Sequence, residues 1–234
     1  MEKSILEKIR SEYKPKLPQA LKGNVKAVEG EPTNSVRDQQ IIKSLFPNTY
    51  GMPIVRFEPG EETTHHAINV GVILSGGQAP GGHNVISGLF DEIKRLNPEN
   101  RLFGFLLGPG GLVSHEYMEI TSEIIEDYRN TGGFDIIGSG RTKLETEEQF
   151  EKGLQILNKL DIKALVIIGG DDSNTNAAVL AEYYKDHGDG IQVIGVPKTI
   201  DGDLKNDQIE TSFGFDTATK TYSELIGNIE RDCA

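Results

Sequence analysis

The chain of 234 residues has no tryptophan and a single cysteine, and basic residues are scarce, 24 against 36 acidic ones for a net charge of −12. A lone thiol, Cys233, excludes an internal disulfide framework and suits a reducing compartment. No stretch approaches the roughly 18–20 apolar residues of a membrane span. The first ten residues lack the apolar centre of a secretory signal, so the expectation is a soluble, cytoplasmic protein with no membrane partner. The acidic balance argues against long nucleic acid, because a field of that sign repels polyphosphates at distance. What the chain has in abundance is glycine, 27 residues, a residue needed where backbone turns sharply or approaches a ligand closely. Its length lies above a typical single domain of roughly 100–150 residues and short of two.

The pattern changes near residue 67. Residues 1–66 carry Pro15, Pro18, Pro32, Pro47, Pro53 and Pro59 among charged clusters, and read as an irregular leader with a short helix over 1–12, where Ile5, Leu6 and Ile9 recur at helical spacing. Residues 67–234 read as one α/β lobe. Short apolar runs at 70–74, 102–107, 135–137, 164–168 and 191–196 are mostly unbroken by charge, as strands buried on both faces are. Between them, helices are expected over 85–96, 116–128, 146–160 and 174–184, with another from 215 to 229. Thr146 and Gln149 form a capping box ahead of the third of these. The alternation predicts a doubly wound, Rossmann-like, mostly parallel sheet with helices on both faces.

In such a sheet, ligands bind beyond the carboxyl ends of the strands. Four of the five expected strand ends carry glycine with charge or hydroxyl: the loop from Ser75 to Asn84, Gly138 to Lys143, Gly169 to Asn174, and Pro197 to Asp203. Glycines there let backbone N–H groups face an anion, and helix N-termini add positive potential. Single glycine turns of this kind are ordinary strand–helix connections; four on one edge point to a phosphate site. The first loop lacks the Lys-Ser/Thr of a P-loop, and the spacing Gly-x-Gly-x-x-Gly is absent, so both common nucleotide fingerprints are missing.

The remaining charges suit phosphoryl transfer, which needs a metal beside the donor oxygens, cations around the transferred group and a base for the acceptor hydroxyl. Asp171 stands where a carboxylate can hold Mg²⁺. Arg141 and Lys198 are placed to neutralise donor oxygens. Asp201 and Asp203 can face one side of an extended loop, one as base and the other orienting the acceptor. Elsewhere the blander readings stand: His65 and His66 as surface loop, Tyr183 and Tyr184 as helix packing, and Glu145, Glu147 and Glu148 as a solvated helix start.

Taken in order, these loops resemble those of the phosphofructokinase family. Ser75-Gly76-Gly77 with Pro80-Gly81 is similar to its first phosphate loop, and Gly169-Gly170-Asp171-Asp172-Ser173 to its metal loop. Thr199-Ile200-Asp201-Gly202-Asp203 is similar to its catalytic loop, and Phe213-Gly214-Phe215-Asp216-Thr217-Ala218 to the helix entry that follows. The resemblance spans about residues 68–234. It implies that Asp201, Asp172 and Lys198 form the catalytic set, that Gly76, Gly77, Arg141 and Ser173 contact pyrophosphate, and that Asp171 binds Mg²⁺. It also implies that Asp201 deprotonates the 1-hydroxyl of fructose 6-phosphate, with Thr199 and Asp203 holding that sugar. Members using ATP usually have glycine at the position of Asp172 and commonly at that of Lys198, so both residues here imply pyrophosphate as donor. The leader is similar to that of longer pyrophosphate-using members, which implies a dimer or larger homo-oligomer. Members also have a second, sugar-binding lobe after the equivalent of Ala234; the expectation is that residues 1–234 alone are inactive or nearly so. The alternatives are an ATP-dependent member, a non-catalytic regulatory subunit and a fold fragment serving only to dimerise.

Overall fold

A computed structural model of the chain describes residues 4–61, 63–187, 190–204 and 213–234. The leader holds α1 (Ile5–Glu12), β1 (Val25–Pro32), α2 (Gln39–Leu45) and β2 (Pro53–Pro59). Residues 1–3 of the helix expected over 1–12 lie outside the described residues, and α1 begins at a capping box of Ser4 with Glu7, which satisfies two otherwise unpaired amides. β1 and β2 pair antiparallel as a ribbon of their own, so the leader is more regular than its prolines suggest.

The lobe follows as β3 (Asn69–Leu74), α3 (Gly82–Leu96), β4 (Arg101–Phe105), α4 (Pro109–Ser114), β5 (Tyr117–Ile120), α5 (Ser122–Tyr128) and α6 (Glu147–Lys159). It ends with β6 (Ile162–Gly169), α7 (Asp171–His187), β7 (Gln192–Thr199), β8 (Phe213–Gly214) and α8 (Phe215–Cys233). Six strands form one sheet in the order β5-β4-β3-β6-β7-β8, parallel except for β5.

Residue alternation along the central strands sorts the core onto two faces. Ile73, Phe103, Phe105, Leu165 and Ile167 meet α4, α6 and α7 through Leu112, Phe150, Ile156, Leu180 and Tyr184. Val70, Val72, Leu74, Leu102, Val166 and Ile168 meet α3 and α5 through Ile86, Phe90, Ile93 and Ile125. Each such side chain stabilises the fold by about 1.5–3 kcal/mol on full burial. Tyr184 is fully buried and Tyr183 half-buried, as the packing reading expected.

Two expectations are corrected. Residues 135–137 form a turn rather than a strand, although Ile136 and Ile137 are buried. Both sides of β3 are already paired, with β4 and β6, so no slot remains. The chain instead crosses the strand ends, with Leu107 N–H donating to Ile137 O (2.9 Å) and Gly76 N–H to Gly140 O (2.8 Å). Residues 116–128, expected as one helix, split into β5 and α5. The edge of β4 captures the first part, pairing Phe103 with Glu119 and Phe105 with Tyr117, and Arg101 grips the Glu119 carboxylate at 3.0 and 2.5 Å. Pairing at an open sheet edge outweighs the local helical spacing.

The leader is tied to the lobe at several points, among them Asn130 Nδ2, which donates to Arg10 O (2.7 Å) and Tyr13 O (3.0 Å), and one carboxylate on α7. Glu182 on α7 accepts from the Asn48 and Thr49 amides (2.9 Å each), from Asn48 Nδ2 (2.6 Å) and from Thr49 Oγ1 (2.7 Å). Burial raises the Glu182 pKa, but these donors outweigh it and hold the carboxyl below its ordinary range. Among the described residues, no helix is long and apolar enough to cross a membrane.

Candidate active site

The chain leaves β3 toward β4 and later returns past β3 to β6, so the connections diverge between β3 and β6. Such a switch point opens a crevice at the carboxyl ends of the strands. A cavity of about 410 Å³ lies there, lined by residues 75–78 after β3, 141–143 from the crossing segment, 170–173 and Asn176 around the start of α7, and 198–201 with Asp203 at the end of β7. All ten residues singled out from the sequence line it: Gly76, Gly77, Arg141, Asp171, Asp172, Ser173, Lys198, Thr199, Asp201 and Asp203.

Their settings differ from a simple loop picture. Asp171 and Asp172 belong to the first turn of α7, where the helix dipole favours negative charge, and both side chains are exposed to the cavity. Asn174 secures that turn by donating Nδ2 to the Gly169 and Gly170 carbonyls, 2.8 Å each. Lys198 and Thr199 are the last residues of β7, a strand that runs further than its apolar residues suggest because β8 pairs with these two positions. Thr199 is buried, and its hydroxyl accepts the Asp201 N–H at 3.1 Å, which sets the turn that carries the Asp201 carboxylate.

Lys198 is only 6% exposed. Its Nζ donates to Gly77 O at 2.5 Å and lies 5.8 Å from the Phe134 ring centre. Burial pushes its pKa below that of an ordinary lysine and the Arg141 cation adds to this, while Asp201 and Asp203 oppose both. Arg141 passes over Gly77, where an added Cβ would stand 3.2 Å from its guanidinium; glycine gives that cation its path into the cavity. The Gly76 N–H is engaged by Gly140 O and the Ser173 hydroxyl donates to Ser75 Oγ (2.8 Å).

The cavity thus brings Arg141, Lys143 and Lys198 together with Asp171, Asp172, Asp201 and Asp203. Among the described residues, no three His, Cys, Asp or Glu side chains are grouped to cage a metal. Sequence reasoning gave no role to Lys143 or Asn176, which also line the cavity. Lys143 stands in a loop already singled out, two residues after Arg141, so its signal was present; Asn176 looks like any exposed helical position until α7 meets residue 144.

Beside this crevice, His83 is buried under the crossing segment. Its Nδ1 lies 3.1 Å from Gly133 N and 2.6 Å from Thr131 Oγ1, and its Nε2 lies 3.2 Å from Ile136 N and 3.0 Å from Asp135 Oδ1. The Tyr128 ring meets the imidazole edge-on. Burial lowers the His83 pKa below 6.5, and Asp135 opposes that shift. The unfolded chain therefore binds the proton more readily, so this contribution to stability is complete above about pH 6.5 and is lost as the pH falls through the lowered folded value. Thermal unfolding from pH 7.5 to 5.5 should show a steeper fall in Tm for the wild type than for His83→Gln; equal slopes would contradict this.

Residues 69–234 match the family described as Phosphofructokinase. The chain is 68% identical over its whole length to the pyrophosphate–fructose 6-phosphate 1-phosphotransferase of Porphyromonas gingivalis, covering 43% of that protein. It is 55% identical over 99% of its length to the enzyme of the same name from Entamoeba histolytica, again covering 43% of it. The chain thus spans less than half the length of these relatives. Among solved structures, the crystal structure of the pyrophosphate-dependent phosphofructokinase from Marinobacter aquaeolei superposes with a TM-score of 0.56 at 24% identity, over 63% of this chain and 37% of that one. That similarity shows the shared fold.

Proposed function

The chain belongs to the phosphofructokinase family, and from that premise we propose that it provides the donor site and the catalytic carboxylate of a pyrophosphate-dependent 6-phosphofructokinase. In this reading, residues 67–234 are the pyrophosphate-binding lobe and residues 1–66 an extension docked through Glu182. The observation that carries the donor assignment is the presence of Asp172 and the buried Lys198 in one cavity. Pyrophosphate has neither base nor ribose, so its site needs only charge and backbone donors, and an acidic side chain beside it stands in the path of a longer nucleotide.

Arg141 and Lys198 would neutralise donor oxygens, with Gly77 and its neighbours supplying amides; Gly76 and Ser173 would shape the loop as much as touch the ligand. The Asp171 carboxylate fits Mg²⁺, an ion usually held by one or two carboxylates together with substrate phosphates and water. When bound, that ion supplies neutralising charge at the donor oxygens. Asp201 would accept the proton of the fructose 6-phosphate 1-hydroxyl as that oxygen bonds to phosphorus; the bridging P–O bond breaks and orthophosphate leaves. Thr199 and Asp203 would orient the sugar. The reaction is reversible in this reading, because a pyrophosphate bond and a sugar phosphate ester differ less in free energy than ATP and that ester do. Assembly as a homo-oligomer in the cytoplasm completes the proposal.

Calorimetric titration tests the donor. Magnesium pyrophosphate should bind at least about 10-fold more tightly than magnesium ATP, a difference of about 1.4 kcal/mol. Replacing Asp172 and Lys198 together by glycine should narrow that gap. Equal affinity of the wild type for both donors would overturn the assignment.

A further inference from the structure

Lys143 has no part in the roles above, yet its Nζ lies 3.1 Å from Asp172 Oδ2 at the wall of the same cavity. We propose that Lys143 is a positioning residue of the donor site, pairing with Asp172 so that a multiply charged anion can bind beside that carboxylate. The inference rests on the donor-site reading and adds to it a residue that acts through Asp172.

The pair is placed by the fold. Residue 144, next to Lys143, is clasped from α7: Leu144 N–H donates to Asn176 Oδ1 (3.1 Å), and Asn176 Nδ2 donates to Leu144 O (2.6 Å). Leu144 itself is buried, so the segment is anchored on both sides of its backbone. The helix that clasps residue 144 is the one whose first turn carries Asp172, which fixes the two charged residues opposite each other. Both side chains are largely exposed, 52% and 71%, and exposed pairs contribute little to folding. A function in the cavity is therefore a better account of this pair than a contribution to folding.

Charge makes the need specific. The cavity holds four carboxylates against three cations, and the Lys198 ammonium is directed at the Gly77 carbonyl. Without Lys143 the balance is four against two, with Asp172 unpaired beside the donor. A carboxylate and a multiply charged anion at close range repel each other, so the loss should appear as weaker donor binding.

Titration of this chain with magnesium pyrophosphate, with melting temperatures taken in parallel, separates the possibilities. Lys143→Met should weaken binding about 10-fold, a change of about 1.4 kcal/mol, while Lys143→Arg stays close to the wild type. Adding Asp172→Asn to Lys143→Met should restore most of the affinity, with melting temperatures unchanged throughout. Unaltered binding by Lys143→Met would overturn the inference alone. So would a double variant as weak as Lys143→Met, which would make Lys143 a direct ligand of the anion. A wild type that takes up no pyrophosphate would overturn the donor-site reading and this inference with it.

Discussion

Asp201→Asn is expected to lower kcat for phosphoryl transfer by about 10²–10⁴-fold, the range a positioned general base contributes. Asparagine keeps the size and polarity of the side chain but cannot take the proton of an attacking hydroxyl. The turn itself should survive, because it is held through the Asp201 amide and the Thr199 hydroxyl, neither of which the substitution removes. The loss should therefore fall on kcat, with the affinity for magnesium pyrophosphate within about 3-fold of the wild type, well under the 1.4 kcal/mol of a tenfold change. Steady-state rates of an active preparation containing this chain, set beside calorimetric titration, would check both halves. A fall in kcat smaller than about 10-fold would remove Asp201 from the role of base.

Tyr184→Ala should have the largest effect on stability, about 3–5 kcal/mol, as for other large aromatic truncations in a core. The ring is fully buried in the cluster that joins α6 and α7 to the sheet. It packs where α6 has Gly153, a position at which an added Cβ would stand 2.5 Å from the Tyr184 hydroxyl. In a chain of this size the melting temperature should fall by roughly 10 °C. Tyr184→Phe should cost about 1 kcal/mol or less, because the hydroxyl reaches Phe150 O only at 3.5 Å. Since α7 carries Asp171 and Asp172 in its first turn, the alanine variant should also bind pyrophosphate less tightly. A shift below about 3 °C would mean that the core repacks around the gap.

Much of this fold is legible in the sequence because the responsible signals are local. Buried parallel strands need unbroken apolar runs, and those at 70–74, 102–107, 164–168 and 191–196 fall on β3, β4, β6 and β7. The capping box at Thr146 and Gln149 appears as expected at the start of α6. The failures share a cause of the opposite kind. Residues 117–120 pair with β4 because an edge is open there, and residues 135–137 stay a turn because β3 has no free side. Neither condition can be read from the segment itself.

The same division runs through the site. Residue type and spacing pointed to the glycine loops and to Arg141, Asp171, Lys198, Asp201 and Asp203, since glycine and charge after an apolar run mark the ligand-facing ends of strands, while Gly76 and Gly77 were singled out by the family resemblance. Only the tertiary structure turns the Lys198 ammonium onto Gly77 O, engages the Gly76 amide, ties Ser173 to Ser75 and sets Lys143 against Asp172. These contacts join residues from 64 to 121 positions apart, except for Lys143 with Asp172, which are 29 apart. A chain pattern records which residue stands after which strand; how those ends meet, and which donor or charge remains free for a ligand, depends on the order in which the strands assemble.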